Sequence, residues 1–128
     1  VKKITENVAN LHSDKIVVNI IKLLNDRLYT SIDLDTIAKE LFFSKTYIKT
    51  VFKKHVGVSI IQYYILQKIE ESKKLISQNK YTYTEIAFML GFNSVHYFSR
   101  LFKAASEFDE TESALLKLSA ANFVFPIS

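Results

Sequence analysis

Residues 86–103 read IAFMLGFNSVHYFSRLFK, and residues 37–59 read IAKELFFSKTYIKTVFKKHVGVS. The two stretches repeat each other. Ile37-Ala38, Leu41 and Phe43 return 49 residues later as Ile86-Ala87, Leu90 and Phe92. Tyr47, Ile48, Val51, Phe52 and Lys53 return 50 residues later as Tyr97, Phe98, Leu101, Phe102 and Lys103. The change of offset marks a one-residue insertion at the turn of the second copy. Apolar residues spaced three and four apart, interrupted midway, read in each copy as two short helices joined by a tight turn, a helix-turn-helix candidate. Two copies are too few for a solenoid and point instead to two similar subdomains.

Working outward, local signals place the boundaries. Asp33 caps a short helix carrying Leu34, Ile37, Ala38 and Leu41, the chain turns at Phe42-Phe43, and Ser44 caps a helix that turns Ile48, Val51 and Phe52 inward. Gly57 ends that helix in the left-handed conformation that glycine adopts without penalty. In the second copy, Thr84 followed by Glu85 starts the first helix, Gly91 sits in the turn, and Asn93 or Ser94 caps the second helix. Between the copies, Ser59 opens a helix running to about Gln78, with an apolar stripe that includes Ile60, Leu66, Ile69 and Leu75; roughly 20 residues span about 30 Å. Upstream, Ile16, Val17, Ile20, Leu24 and Leu28 predict a helix over 15–28 capped by Asp14. The expected organisation is a linker or frayed segment over 1–14, a first helix-turn-helix subdomain over 15–57, a linker helix over 58–79, a second subdomain over 80–121 and an apolar tail over 122–128.

Composition agrees with an all-α fold. The 128 residues include 2 glycines and 1 proline, too few for the hairpins of an all-β protein. Apolar residues at 48 % support a core, and the absence of cysteine excludes disulfides, cysteine-ligated zinc and a thiol nucleophile. No apolar run reaches the ~18 residues of a membrane span. The net charge of +4 is unevenly distributed: residues 1–103 hold 16 Lys/Arg against 9 Asp/Glu, and residues 104–128 hold 1 against 4. A basic body suggests a polyanionic partner. Val1 in place of Met leads us to expect a piece of a longer protein.

Residues 15–103 resemble the DNA-binding domain of AraC/XylS-type bacterial transcription regulators. The resemblance is carried by IAKELFFSKTYIKTVFKKHVGVS, by QKIEESKKLI over 67–76, and most specifically by IAFMLGFNSVHYFSRLFK. It implies about seven helices, a rigid linker helix, and entry of the second helix of each unit into a DNA major groove. The ~30 Å linker is compatible with the ~34 Å advance of one B-DNA turn, so a monomer could read two successive major-groove segments. The resemblance also implies RNA polymerase as a protein partner, an effector or dimerisation domain outside this chain, an activator's role, and a bacterial, cytoplasmic, nucleoid-associated location. It implies no cofactor.

On the first reading helix the face opposite the core offers Thr46, Lys49 and Thr50 to base edges, since lysine donates to guanine and threonine meets either an acceptor or a thymine methyl. Ser44, Lys45, Lys53 and Lys54 are assigned to phosphates. On the second, Val95, His96, Ser99 and Arg100 are assigned to bases, with Arg100 the best candidate for bidentate readout of guanine. Asn93, Ser94 and Lys103 are assigned to phosphates, with capping the safer role for Asn93 and Ser94. Lys68 in the linker helix carries two readings, a phosphate contact or a tie between the linker and a subdomain. Tyr47, Tyr63, Tyr64 and Tyr97 fall on apolar stripes and read as core or core-edge residues.

Two departures from the family pattern stand out. Phe42 occupies a turn position where the family often has glycine, so the first turn is expected to take another shape. The usual closing Gly-x-Thr-Pro is replaced by Glu107-Phe108-Asp109-Glu110. Asp109 and Glu112 still form a capping box, so a last helix over about 110–120 is expected, but with an acidic first turn that would repel phosphate. The acidic tail motivates an alternative function, a protein-interaction module with weak or no specific DNA binding. Catalysis is not expected: His12, His55 and His96 lie in separate elements without metal-ligand spacing, and no phosphate-binding glycine loop is present.

Overall fold

The computed structural model describes residues 2–106, with side chains over 13–105. Six helices are found there: α1 (Lys2–Asp26), α2 (Leu34–Leu41), α3 (Lys45–Val56), α4 (Ile60–Ser77), α5 (Tyr83–Met89) and α6 (Val95–Ser106). The described residues contain no strand. The helix expected over 110–120, the acidic segment and the apolar tail lie outside them. No glycine or proline interrupts residues 2–26, and α1 accordingly runs unbroken from Lys2. Asp14 is therefore inside the helix rather than its cap, and its carboxylate lies 3.3 Å from His55 Nδ1 at the end of α3.

The caps follow from the sequence. Asp33 accepts from the Thr36 amide and hydroxyl at 2.8 and 2.7 Å. Ser44 accepts from the Tyr47 amide at 3.1 Å. Ser59 and Gln62 form a reciprocal capping box that starts α4. The second unit begins two residues earlier than expected, because Thr82 and Glu85 form the same reciprocal box and leave Thr84 inside α5. Ser94, not Asn93, caps α6, accepting from the Tyr97 amide at 3.2 Å; Asn93 is therefore the inserted residue.

Contrary to expectation, the turn at Phe42 keeps the shape of its counterpart at Gly91. Phe42 adopts φ 62° and ψ 37°. Its amide donates to Lys39 O, and the Phe43 amide donates to Ala38 O at 3.0 Å. The Gly91 amide donates to Phe88 O, and the Phe92 amide to Ala87 O at 3.0 Å. These paired bonds, the closing pattern of a Schellman motif in α2, are repeated with the same offset in both copies. The Phe42 side chain, 92 % exposed, points away from the core, so the left-handed conformation carries only its local backbone strain. Gly91 has no such room. A Cβ there would sit 2.8 Å from Thr30 O and 2.9 Å from its carbonyl carbon, so the turn of the second unit lies directly on the backbone of the first.

The linker helix α4 packs against α1 and α3 on one side and α5 and α6 on the other. Ile20, Leu24, Ile37, Ile48 and Phe52 are buried in the first unit and Ile86, Leu90, Phe98 and Leu101 in the second, with Leu66 and Ile69 of α4 joining them into one core. Each such side chain contributes about 1.5–3 kcal/mol by leaving water.

Lys68 lies within this contact. The residue is 4 % exposed. Its ammonium donates to Leu28 O and Thr30 O at 2.6 Å each and to Leu90 O at 2.5 Å, and it lies 4.3 Å from the Tyr64 ring centroid. All three N–H donors are thus used inside the protein. Lys68 ties the linker to both subdomains; the assignment to a DNA phosphate is overturned because the side chain is buried and its three donors are engaged by backbone carbonyls. The Tyr64 hydroxyl reinforces the same loop, lying 2.6 Å from Arg27 O and 2.7 Å from Thr30 O. Around it, Arg27 pairs with Glu40 at 2.7 Å and the Tyr29 hydroxyl donates to Glu71 at 2.5 Å.

The two turns make opposite predictions. Phe42→Gly is expected to raise stability by about 0.5–1 kcal/mol by relieving the left-handed phenylalanine, and Gly91→Ala to lower it by about 2 kcal/mol, as read by urea denaturation. Equal effects at both positions would contradict the distinction. Lys68 makes a prediction in pH. Burial pushes its ammonium down to about 8 from its ordinary 10.5. Between those values the unfolded chain holds the extra proton, so stability rises with pH across the window. Wild type is expected to gain on Lys68→Met between pH 8 and 10.5 in denaturation series; parallel curves would contradict it.

Candidate nucleic-acid interface

Helix α3 buries Ile48, Val51 and Phe52 and exposes Thr46, Lys49, Thr50 and Lys53. Positions 46, 49, 50 and 53 are spaced three, one and three apart, so they form one stripe along the helix. The sequence of α3, KTYIKTVFKKHV, contains four lysines and no carboxylate. Thr50 donates its hydroxyl to Thr46 O at 2.9 Å. With that proton engaged, its oxygen and methyl remain as the groups it can offer beyond the helix. Lys45 pairs with Asp35 at 3.2 Å, with both side chains about half exposed. Such a surface pair is weak, so a phosphate can compete for the lysine. Lys53 and Lys54 are exposed in the last turn, where the helix dipole favours cations. Ser44 uses its oxygen to cap the helix and retains its proton for an acceptor beyond it.

Helix α6 buries Phe98, Leu101 and Ala105. His96, Arg100 and Lys103 are exposed at intervals of four and three, forming a second stripe, with exposed Asn93 and Ser94 at its start. Arg100 lies beside Tyr97, whose hydroxyl burial pushes up to about 12 while the guanidinium opposes that rise.

Two of the expected base contacts do not share this face. Val95 is half-buried and packs on the core. Ser99 is also half-buried, and its hydroxyl accepts from Tyr83 at 3.3 Å. Tyr83 ties Ser99 to α5, with its ring 4.9 Å from Phe98 and 6.0 Å from Phe102. A rotation of one residue around a helix is about 100°, so residues on the flank of the outward face are half-buried where apolar spacing alone places them outward. The exposed polar stripe of α6 is His96, Arg100 and Lys103.

Tyr47 also departs from the core-edge expectation in degree. It is 37 % exposed, with its ring 5.3 Å from that of Phe43, so the turn and the start of α3 present an aromatic edge. Tyr63, Tyr64 and Tyr97 are buried or half-buried, as their apolar stripes suggested.

The structure adds a feature that spacing did not announce. Beside the Lys68 junction a cleft of about 470 Å³ opens between the subdomains, lined by Ile32, Ile61, Ile65, Phe92 and Tyr97 with Lys68 and Gly91. The available signal was a polar series, Tyr64, Lys68 and Ser72, at four-residue intervals on the buried face of a helix. Buried polar groups in such a series require hydrogen-bond partners, which Tyr64 and Lys68 find outside α4 and Ser72 finds on Ile69 O of its own helix. Among the described residues no His/Cys/Asp/Glu group could hold a metal ion, and no helix is long and apolar enough to cross a membrane.

Comparison with known proteins accords with this architecture. A family model described as a helix-turn-helix domain matches residues 37–107. The chain is 30 % identical over 93 residues to the protein named "Probable transcription factor PqrA" of Proteus vulgaris, covering 71 % of this chain and 76 % of that one. It is 30 % identical over 92 residues to the Msm operon regulatory protein of Streptococcus mutans, covering 71 % of this chain but 33 % of that protein. Among solved structures it resembles the C-terminal domain of the two-component response regulator yesN from Fusobacterium nucleatum, with TM-score 0.62 and 25 % identity over 71 % of this chain and 93 % of that one. The C-terminal domain of AraT, a response regulator from Geobacillus stearothermophilus, shares the fold with TM-score 0.68 and 21 % identity, over 88 % of this chain and 90 % of that one. The twice-repeated helix-turn-helix, its linker helix and these relatives show that the chain belongs to the AraC/XylS-type family of bacterial helix-turn-helix transcription regulators.

Proposed function

We propose that this domain binds duplex DNA sequence-specifically as a monomer, inserting α3 and α6 into successive major-groove segments on one face of the helix, and that it serves as the DNA-binding part of an activator that engages RNA polymerase. The observation that carries the reading is the pair of exposed cationic stripes on the second helices of the two repeats. One is Thr46, Lys49, Thr50 and Lys53; the other is His96, Arg100 and Lys103. Between them α4, with 18 residues, spans about 27 Å, comparable to the ~34 Å advance of one DNA turn.

In this reading Thr46, Lys49 and Thr50 meet the bases of one segment, and His96 and Arg100 those of the next. Arg100 supplies bidentate donors to guanine O6 and N7, and Lys49 donates to the same acceptors as a point charge. Ser44, Lys45, Lys53, Lys54, Asn93, Ser94 and Lys103 engage phosphates. They raise affinity without carrying sequence information, and through counterion release they make binding salt-dependent.

A binding titration over a salt series tests the assignment, using duplexes selected from a random pool. Lys49→Ala combined with Arg100→Ala is expected to cost about 2–6 kcal/mol against the selected sequence, at ~1–3 kcal/mol per base contact, while leaving nonspecific binding largely intact. Lys54→Ala is expected to weaken all duplexes alike and to reduce the salt slope by about one unit. Equal affinity of wild type and the double variant for the selected duplex would overturn the base-reading assignment.

A further inference from the structure

We infer that Lys68 is a positioning residue for DNA recognition: by joining three backbone carbonyls from the two subdomains, it sets the spacing between the two DNA blocks that the chain accepts. The inference rests on the two-segment reading above and deepens it.

The geometry is specific. Leu28 O and Thr30 O belong to the loop between α1 and α2, just ahead of the first helix-turn-helix. Leu90 O belongs to the C-cap of α5, immediately before the turn that aims α6. One ammonium therefore bonds to the entrance of the first unit and to the pivot of the second reading helix. Gly91 supplies the complementary contact, because its backbone rests against Thr30 with no space for a methyl group. The apolar side chains around the junction favour burial without favouring one angle, since hydrophobic contact is non-directional. Hydrogen bonds of 2.5–2.6 Å to three converging carbonyls are directional and resist sliding and rotation. The adjacent cleft leaves space into which loosened elements could move.

DNA converts a change of angle into a change of spacing. Moving one block by one base pair displaces it about 3.4 Å along the axis and about 35° around it. A rigid two-headed reader accepts one spacing and loses the second contact at others; a loosened reader accepts several, with a weaker optimum.

The test measures affinity for duplexes in which the two selected blocks are moved apart or together by one and two base pairs, and for duplexes containing either block alone. Wild type is expected to show one sharp optimum, roughly hundredfold over offsets of two base pairs, within the gain that linked sites can supply. Lys68→Met is expected to compress that ratio to about tenfold or less, while affinity for each single block stays within about twofold of wild type. Lys68→Arg, which restores a buried cation with several donors, is expected to recover much of the selectivity. Tyr64→Phe keeps the ring beneath Lys68 and removes only the hydroxyl bonded to the same loop; it is expected to broaden the profile partially and carries the test if Lys68→Met does not fold. A sharp optimum retained in folded Lys68→Met, or in Tyr64→Phe where Lys68→Met is unfolded, would overturn the inference alone. Parallel loss of single-block and two-block binding would also overturn it, assigning Lys68 a general stabilising role. A wild-type profile without an optimum would overturn the two-segment reading itself.

Discussion

The ammonium of Lys68 is the point at which the three parts of this chain meet. A buried cation is expensive, and its depressed pKa expresses that cost. The structure compensates with acceptors on three carbonyls and with the electron-rich face of Tyr64. Leu90 is the C-cap residue of α5, and Leu28 O lies just beyond the end of α1, so two of the acceptors lie at or near the negative ends of helix dipoles. An apolar residue could fill similar space at lower desolvation cost, but it could not orient those carbonyls. Such a cation contributes a defined angle between the parts more than net stability.

Around that point the two units use the same local physics with different surroundings. Their turns make the same backbone hydrogen bonds at a constant offset of 49 residues, and a hydroxyl caps both reading helices. The units differ where one packs on the other. Gly91 lies against Thr30 and admits no side chain, whereas Phe42 sits at the free end and retains a strained but unobstructed phenylalanine. The repeat therefore carries the turn geometry, and the interface determines which residue the turn accepts.

Much of this was legible in the sequence because it is local. Asp33, Ser44, Ser59 and Gly57 mark helix ends through bonds to residues three or four away, and the repeated apolar spacing identifies the cores of both units. The start of α5 was also written there, in the Thr82-x-x-Glu85 box, but the adjacent Thr84 obscured it. Lys68 was ambiguous for a physical reason. Its partners are 40, 38 and 22 residues away and are backbone atoms, so no side-chain pattern announces them. Val95 and Ser99 are half-buried because they flank the outward face, Val95 against the core and Ser99 beside Tyr83, which spacing alone does not show. The exposure of Lys49, Arg100 and Lys103 was legible because each opposes an inward set that the spacing defines clearly.

The account makes the two reading helices parts of one rigid body fixed through Lys68. The absence of cysteine allows two spin labels to be introduced without background, at Lys39→Cys on α2 and Thr84→Cys on α5, exposed positions of the two units outside the assigned DNA contacts. The most direct test is the distribution of distances between them by pulsed electron resonance. The account predicts a single narrow distribution that keeps its centre when duplex is added and broadens when Lys68 is changed to methionine. A broad or multiple distribution in the wild-type chain, narrowing only on DNA, would contradict it.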